Sequence, residues 1–549
     1  MKTVEIRDLD GPNIFLLRPA IKLEIAFEPD EHPRISTLAQ AFVVDETVDS
    51  PQLVDADVDR VLTLLVEVVN VLHDRSGAER PEIVARPMET PRHYVVAWSW
   101  LRRTFSRDLA HIAFDLVSGA LDQADLDVRI GALQHFQSRP VGPGEAPAYT
   151  SNTERRVPVI GITGTNGKTT TTRLISSIFM HAGHTVGWTS TSGVFVQGEE
   201  RIVGDYTGPS GASYVLKDPD VEVAILETAR GGMLLRGVGY ENCDIGVVTN
   251  VSPDHLGLHG VQTIEGLAEV KSLIPQVTKP GGFVVLNADD PLVLAMRYKT
   301  PAQVFLVTRN HEHPVVREHV AAGGWALIVR DGLIHWYHAG LSDIVISLSD
   351  VPVTFGGRAA HMVENALCAT AAVLAYGMPL DQVRGGLSSF APDRKQNRGR
   401  LNVFDKQGVS VVIDYAHNEA GLVHLLALGR AFAAERGGRL YAVIGSAGDR
   451  TDEALRTLGQ TSVEQADVTI VKRTNHYLRG RDADEIIQLV QEGVLRAGHP
   501  LCQEAAGELD GVKLALAQAD RGDVVVVMST EEYDDLEHFL LSDETTLDG

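Results

Sequence analysis

Residues Gly164-Thr165-Asn166-Gly167-Lys168-Thr169-Thr170 have the composition of a loop that grips phosphate. Glycines let backbone N–H groups face an anion, Lys168 adds positive charge, and the Thr169 hydroxyl is a suitable ligand for Mg²⁺. The segment follows the apolar run VPVIGIT and opens a helical pattern at about Lys168, the strand–loop–helix context that such a loop needs. Its spacing departs from GxxxxGK in one respect, since position 162 is Ile where the first Gly would fall. Glu227 ends a second apolar run, VEVAILE. A carboxylate at the carboxyl end of a parallel strand beside a phosphate loop is placed to hold Mg²⁺. A third run, IGVVTNV, leads into Ser252-Pro253-Asp254-His255-Leu256-Gly257, so that His255 becomes another ligand-type residue delivered to the same sheet edge. These residue types suit phosphoryl transfer, which needs charge compensation and metal more than a nucleophilic side chain. No convincing Ser-His-Asp or Cys-His set points to covalent catalysis.

The elements that position these residues follow from hydrophobic periodicity. From Val157 onward, β-rich apolar runs (VPVIGIT, VEVAILE, IGVVTNV, GGFVVLN) alternate with helical stretches, predicting a mostly parallel sheet covered by helices. A second such unit begins after the loop APDRKQNRGR, with VSVVIDYA, RLYAVIGS, ADVTIVK and DVVVVMS as buried strands. Ahead of both, strand-like runs at Ile14 to Leu17 and Ile21 to Ala26 mix with helical stretches at Val58 to Leu72 and Ser106 to Leu121, a small α+β unit. The Pro- and Gly-containing segment Arg139 to Pro158 reads as a linker. The expected domains are therefore 1–150, 151–396 and 397–549. Three further features have ordinary structural readings. Asn310-His311-Glu312-His313-Pro314 reads as a solvated loop rather than a metal site, Trp98 and Trp100 as part of an amphipathic core helix, and EEYDDLEHFLLSDETTLDG as a terminal helix with a solvated end.

Bulk composition narrows the function classes. A chain of 549 residues, 44% hydrophobic and 22% charged, has the make-up of an ordinary multidomain globular protein. The formal net charge of -24 argues against general nucleic-acid binding, because phosphate backbones are gripped by basic surfaces. Cys243, Cys368 and Cys502 lie far apart without a CxxC, which suggests neither a zinc site nor a disulfide framework and fits the cytoplasm. The N-terminus has no apolar signal core, and no stretch of eighteen apolar residues exists, so no membrane partner is expected.

The motifs GITGTNGKTTTTRLI, VEVAILETARGGMLLRG, CDIGVVTNVSPDHLGLHG, LNADDP, HMVENALCATAA, NRGRLNVF, DYAHNEAG and IGSAGDR resemble, in order, those of the Mur ligase family. ETARGG and TNVSPDHLGL point to its cyanophycin-synthetase branch, and the opening GPN of residues 11–13 is similar to that branch's N-terminal domain. The resemblance implies a P-loop central domain, a Rossmann-like C-terminal domain, and ATP with Mg²⁺ as cofactors. It implies an enzyme that makes an acyl phosphate from a carboxylate and joins it to an amine. Lys168 and Thr169 would bind triphosphate and Mg²⁺, Glu227 and His255 would be metal ligands, and Lys271 matches a carbamylated lysine that helps hold a second Mg²⁺. Asn365 matches a nucleotide contact, while Arg400 and Asp414 match residues that the C-terminal domain brings to ATP as it closes about a hinge near Ala391 to Arg400. His417 and Asn418 would face the site. Met362 and Glu419 stand where the family pattern has Asn and Pro. The branch's ATP-grasp domain has no room in the linker, so a separate ATP-grasp ligase is a candidate partner, beside a small-molecule or peptide carboxylate acceptor and an amino-acid donor. Two other readings compete: a P-loop kinase or NTPase, which leaves the downstream motifs unexplained, and a non-catalytic ATP-binding partner of an ATP-grasp enzyme.

Overall fold

The computed structural model describes residues 1–29, 31–45, 52–254 and 256–542. Its strands fall into three main sheets, of four, eleven and six strands, with a two-stranded ribbon beside the first. The four-stranded sheet is antiparallel in the order Lys2–Leu9, Ala20–Ala26, His93–Ser99, Ile83–Pro87. Helices Val58–Ser76 and Arg103–Ser118 supply apolar residues that pack with Ile21, Leu23, Ile25, Val96 and Trp98 into one core. The first of them starts at Asp57, whose side chain accepts the Arg60 N–H, and stops at Gly77 in the left-handed region.

The residues from Val159 onward build the eleven-stranded sheet. Its parallel centre runs Val186–Thr189, Val223–Glu227, Val159–Thr163, Cys243–Val248, Thr278–Asn287, Gln303–Thr308 and Trp325–Arg330, with antiparallel strands at both edges. Strands buried on both faces explain why they read as continuous apolar runs. The connections leave Val159–Thr163 toward one side of the sheet and return to its other side. Loops after this strand and its two neighbours therefore meet at a topological switch point, where α/β sheets bind ligands. The six-stranded sheet repeats the plan, with Asn402–Lys406 antiparallel to Val409–Asp414 at one edge and Val524–Met528, Leu440–Ile444, Val468–Lys472 and Gln503–Ala505 following in parallel. Its core merges with that of the central sheet, and Phe355 and Phe432 meet edge-on across the junction at 5.7 Å.

Three local expectations are corrected. Ile14 to Leu17 is a loop, because Asn13 Oδ1 accepts the N–H groups of Phe15 (3.0 Å) and Leu16 (3.1 Å), while its Nδ2 donates to the carbonyls of Gly11 and Arg18. An Asn that satisfies several backbone groups competes with strand pairing. Trp98 lies on a strand and Trp100 just past it, not on a helix. Trp98 points into the core, and Trp100 Nε1 donates to Leu9 O at 3.0 Å. The helix expected from Ser106 runs Arg103–Ser118 and ends at Gly119. The Asn310–His313 stretch is a turn with exposed side chains at His311 and Glu312, and the last helix covers Tyr533–Leu541. Among the described residues no helix is long and apolar enough to cross a membrane.

Candidate active site

The phosphate-type loop leaves the strand Val159–Thr163 and enters helix Lys168–His181 with Gly167 as its N-cap at φ +87°. Two glycines are demanded by space. A side chain at Gly164 (φ +153°) would begin 1.9 Å from Thr249 Oγ1, and one at Gly167 would begin 2.1 Å from Asn365 Oδ1. The neighbouring strand's loop shapes this turn. Thr165 N–H donates to Asn250 O (2.8 Å), Asn166 N–H to Asn250 Oδ1 (2.9 Å), and the Thr249 hydroxyl to Asn166 O (2.7 Å). Asn250 was not singled out in the sequence, although it stands in the TNV stretch that carries the motif. Lys168 curls over the loop, its Nζ donating to Thr165 O at 2.9 Å, a contact that a bound phosphate would compete for. Thr170 is buried in the first helical turn.

Glu227 sits in register with Ile162 at the end of the adjacent strand. Its Oε2 accepts the Thr169 hydroxyl at 2.9 Å, while Oε1 is buried without a hydrogen-bond partner among the described residues. Burial pushes this carboxyl above the usual range, and Lys168 opposes the shift. A carboxylate oxygen left orphaned beside a threonine hydroxyl, both hard donors, fits a divalent cation such as Mg²⁺. Lys271 ends helix Ile264–Lys271, is 3% exposed, and donates from Nζ to Gly164 O at 2.7 Å. Burial, reinforced by Lys168, holds this amine far below the ordinary lysine range. His255 lies outside the described residues, and among those described no group of three His, Cys, Asp or Glu side chains gathers as a metal cluster.

The structure thus brings Lys168, Thr169, Glu227, Lys271 and Asn365 to one loop. Asn365 is buried, with Nδ2 toward Met362 Sδ at 3.6 Å, so the methionine that departs from the family pattern becomes its weak acceptor. The C-terminal unit meets the loop chiefly through Asn418, which exchanges amide contacts with Asn166 at 3.2 and 3.4 Å. Asn418 also caps helix Glu419–Arg436. Beside it, Arg450 Nη2 lies 3.3 Å from Asp254 Oδ1, and His417 Nδ1 lies 3.0 Å from Tyr415 O. Burial pushes His417 down to about 4, so the ring is neutral at neutral pH. Arg400 lies over the Tyr415 ring, 4.7 Å from its centroid. The Asp414 carboxylate accepts Leu401 N–H at 3.0 Å, and burial pushes it up to about 6. Arg173, one turn into the loop's helix and not singled out in the sequence, donates to Arg398 O (3.0 Å) in the connecting segment.

The residues of this site lie within stretches of the chain that match known proteins. Residues 162–373 match the Mur ligase middle domain, and residues 399–530 match the glutamate ligase domain of Mur ligases. Cyanophycin synthetase of Synechocystis sp. is 40% identical over 380 residues, which are 69% of this chain and 43% of that one. The chain spans less than half the length of the cyanophycin synthetases it matches. The UDP-N-acetylmuramoyl-L-alanyl-D-glutamate–2,6-diaminopimelate ligase of Geobacillus thermodenitrificans is 29% identical over 400 residues, covering 70% of this chain and 75% of the relative. A crystal structure of a bifunctional folylpolyglutamate synthase/dihydrofolate synthase with Mn, AMPPNP and L-glutamate bound shares the fold. Its TM-score is 0.51 at 20% identity, over 70% of this chain and 88% of that one.

Proposed function

We propose that this chain, which carries the middle and C-terminal domains of the Mur ligase family, is an ATP-dependent ligase. It activates a carboxylate as an acyl phosphate and joins it to an amino acid or other amine as an amide, releasing ADP and phosphate. The observation that carries this reading is the meeting of Lys168, Thr169, Glu227 and Lys271 around one loop at a sheet's switch point. In this reading residues 1–150, 151–396 and 397–549 are the three domains, and the enzyme works in the cytoplasm.

The loop's backbone N–H groups and Lys168 hold the triphosphate, and Lys168 compensates charge as the γ-phosphoryl group passes to a carboxylate oxygen of the acid. Thr169, Glu227 and His255 would hold Mg²⁺, joined by Lys271 once carbamylated. When bound, the metal offsets the anionic charge that gathers during transfer. Burial disfavours the ammonium form of Lys271 and so favours the free amine, whose lone pair can add to the carbon of CO₂. Loss of a proton from nitrogen then leaves a carbamate anion whose oxygens suit a hard cation, as an ammonium does not. Asn365 and Arg400 are assigned to the nucleotide. Asp414, which accepts the Leu401 N–H within the same domain, is assigned to the nucleotide with them and would be carried there as the C-terminal domain moves about residues 391–400. The amine then attacks the acyl carbon, and phosphate departs with the electrons of the broken C–O bond.

The test is an ADP-release assay in which amino acids are crossed with peptide and polymer carboxylates. A ligase releases ADP only when a matched acid and amine are both present. Release with neither substrate would establish a plain NTPase, and no release with any pair would favour the non-catalytic ATP-binding reading.

A further inference from the structure

A hairpin of the N-terminal unit reaches toward the helix that carries Lys271. Strands Ile83–Pro87 and His93–Ser99 pair antiparallel, and their connection is pinned by Met88 N–H donating to His93 O (2.9 Å) and His93 N–H to Thr90 O (3.1 Å). Arg92 Nε ties the hairpin back to Phe27 O at 3.0 Å. At its tip Glu89 crosses to the middle unit. Its carboxylate accepts the N–H groups of Gln262 (2.5 Å) and Thr263 (3.1 Å) and the Thr263 hydroxyl (2.9 Å). Thr263 is in turn the N-cap of helix Ile264–Lys271, its Oγ1 accepting Gly266 N–H at 3.0 Å. The helix start is therefore held by two acceptors in series, the outer one anionic and placed where the helix dipole favours negative charge.

The helix is also held at its middle, where Leu267 and Val270 are buried in the core of the middle unit, so the anchor acts on its first turn. A helix of eight residues has little stability of its own. The segment leading into it takes the left-handed conformation at Gly257, His259 and Gly260, which for His259 is unfavourable without support. Met88 supports it from the same hairpin, with Cε 3.4 Å from where a side chain at Gly260 would begin. The last residue of the helix is Lys271, whose Nζ meets Gly164 O in the phosphate-type loop.

We propose that Glu89 is a positioning residue for Lys271: by fixing the first turn of a two-turn helix, the N-terminal unit sets where the lysine at its far end stands against the loop. The inference rests on the ligase reading for the importance of Lys271, but the mechanical link between the two residues is measurable without turnover. The full chain and its Glu89→Ala and Glu89→Gln variants are treated with trace amine-reactive reagent, and each lysine is quantified by peptide mass spectrometry. Loss of the anionic acceptor should raise Lys271 labelling about tenfold in Glu89→Ala, from the ordinary worth of a capping hydrogen bond and of the charge–dipole term together. Glu89→Gln keeps an acceptor and should label at an intermediate rate. Lys472, buried in the C-terminal sheet, should be unchanged. With matched substrates, kcat should fall in the same order while KM for ATP holds. Unchanged Lys271 labelling in Glu89→Ala, or an equal rise at Lys472, overturns the proposal. Absence of ligation by the unsubstituted chain would count against the ligase reading and leave the labelling result standing by itself.

Discussion

Asp414 gives the prediction with the clearest arithmetic. Its carboxyl ends the strand Val409–Asp414 and is buried, and burial raises it from 3.8 to about 6 despite Arg400 and two backbone N–H groups that favour the anion. A carboxyl whose folded value is raised binds more protons in the folded than in the unfolded chain between those two values. Stability is therefore fully present below the unfolded value and is lost as pH rises through the folded one. Two pKa units correspond to about 3 kcal/mol, of which about 2 kcal/mol falls between roughly pH 4.5 and pH 7.5. Asp414→Asn removes the titration. Asparagine offers one oxygen to two N–H donors, from Leu401 and Ala416, so the variant also loses about 1–3 kcal/mol that does not vary with pH. The difference between the two proteins is then the quantity to follow. Urea unfolding monitored by far-ultraviolet circular dichroism should show the variant gaining about 2 kcal/mol relative to wild type from the acid to the neutral condition, whatever its fixed offset. Parallel pH curves would show that the carboxyl titrates normally, and the buried environment inferred for it would be wrong. In the ligase assay the same variant should lose turnover at neutral pH, because a neutral amide cannot replace the anion assigned to closure.

Two further substitutions test the loop and the lysine. Lys168→Ala removes a charge whose hydrogen bond is to its own loop, so turnover should drop by about a hundredfold or more with little change in melting temperature, and near wild-type amide formation would refute the phosphate assignment. Lys271→Ala should be nearly inactive and regain part of its activity when formate or acetate supplies the missing oxygens, whereas Lys271→Arg should not respond, and full turnover by the alanine variant would remove the lysine from the mechanism.

Much of this architecture is legible in the sequence because local physics decides it. The phosphate-type loop needs glycines where backbone and Asn365 crowd it, and the parallel strands must be apolar on both faces, so both leave strong local signatures at Gly164–Thr170, Val223–Glu227 and Cys243–Val248. Signals fail where a polar residue overrides a pattern, as Asn13 does in making Ile14–Leu17 a loop, or where a strand carries mixed charge, as in Lys2–Leu9. Glu89 shows nothing by itself, yet its partners stand 173 and 174 residues away and set the start of the Lys271 helix. Asn166 and Asn418 are 252 residues apart and join two units. The family resemblance assigns Asp414 to ATP, but only packing shows it buried, where it is raised to about 6. The sequence by itself determined which residue types gather at the switch point, since backbone conformation and burial constrain residue type position by position. The tertiary structure alone decided which distant side chains hold that chemistry in place, because their pairing energy exists only after the chain has brought them together.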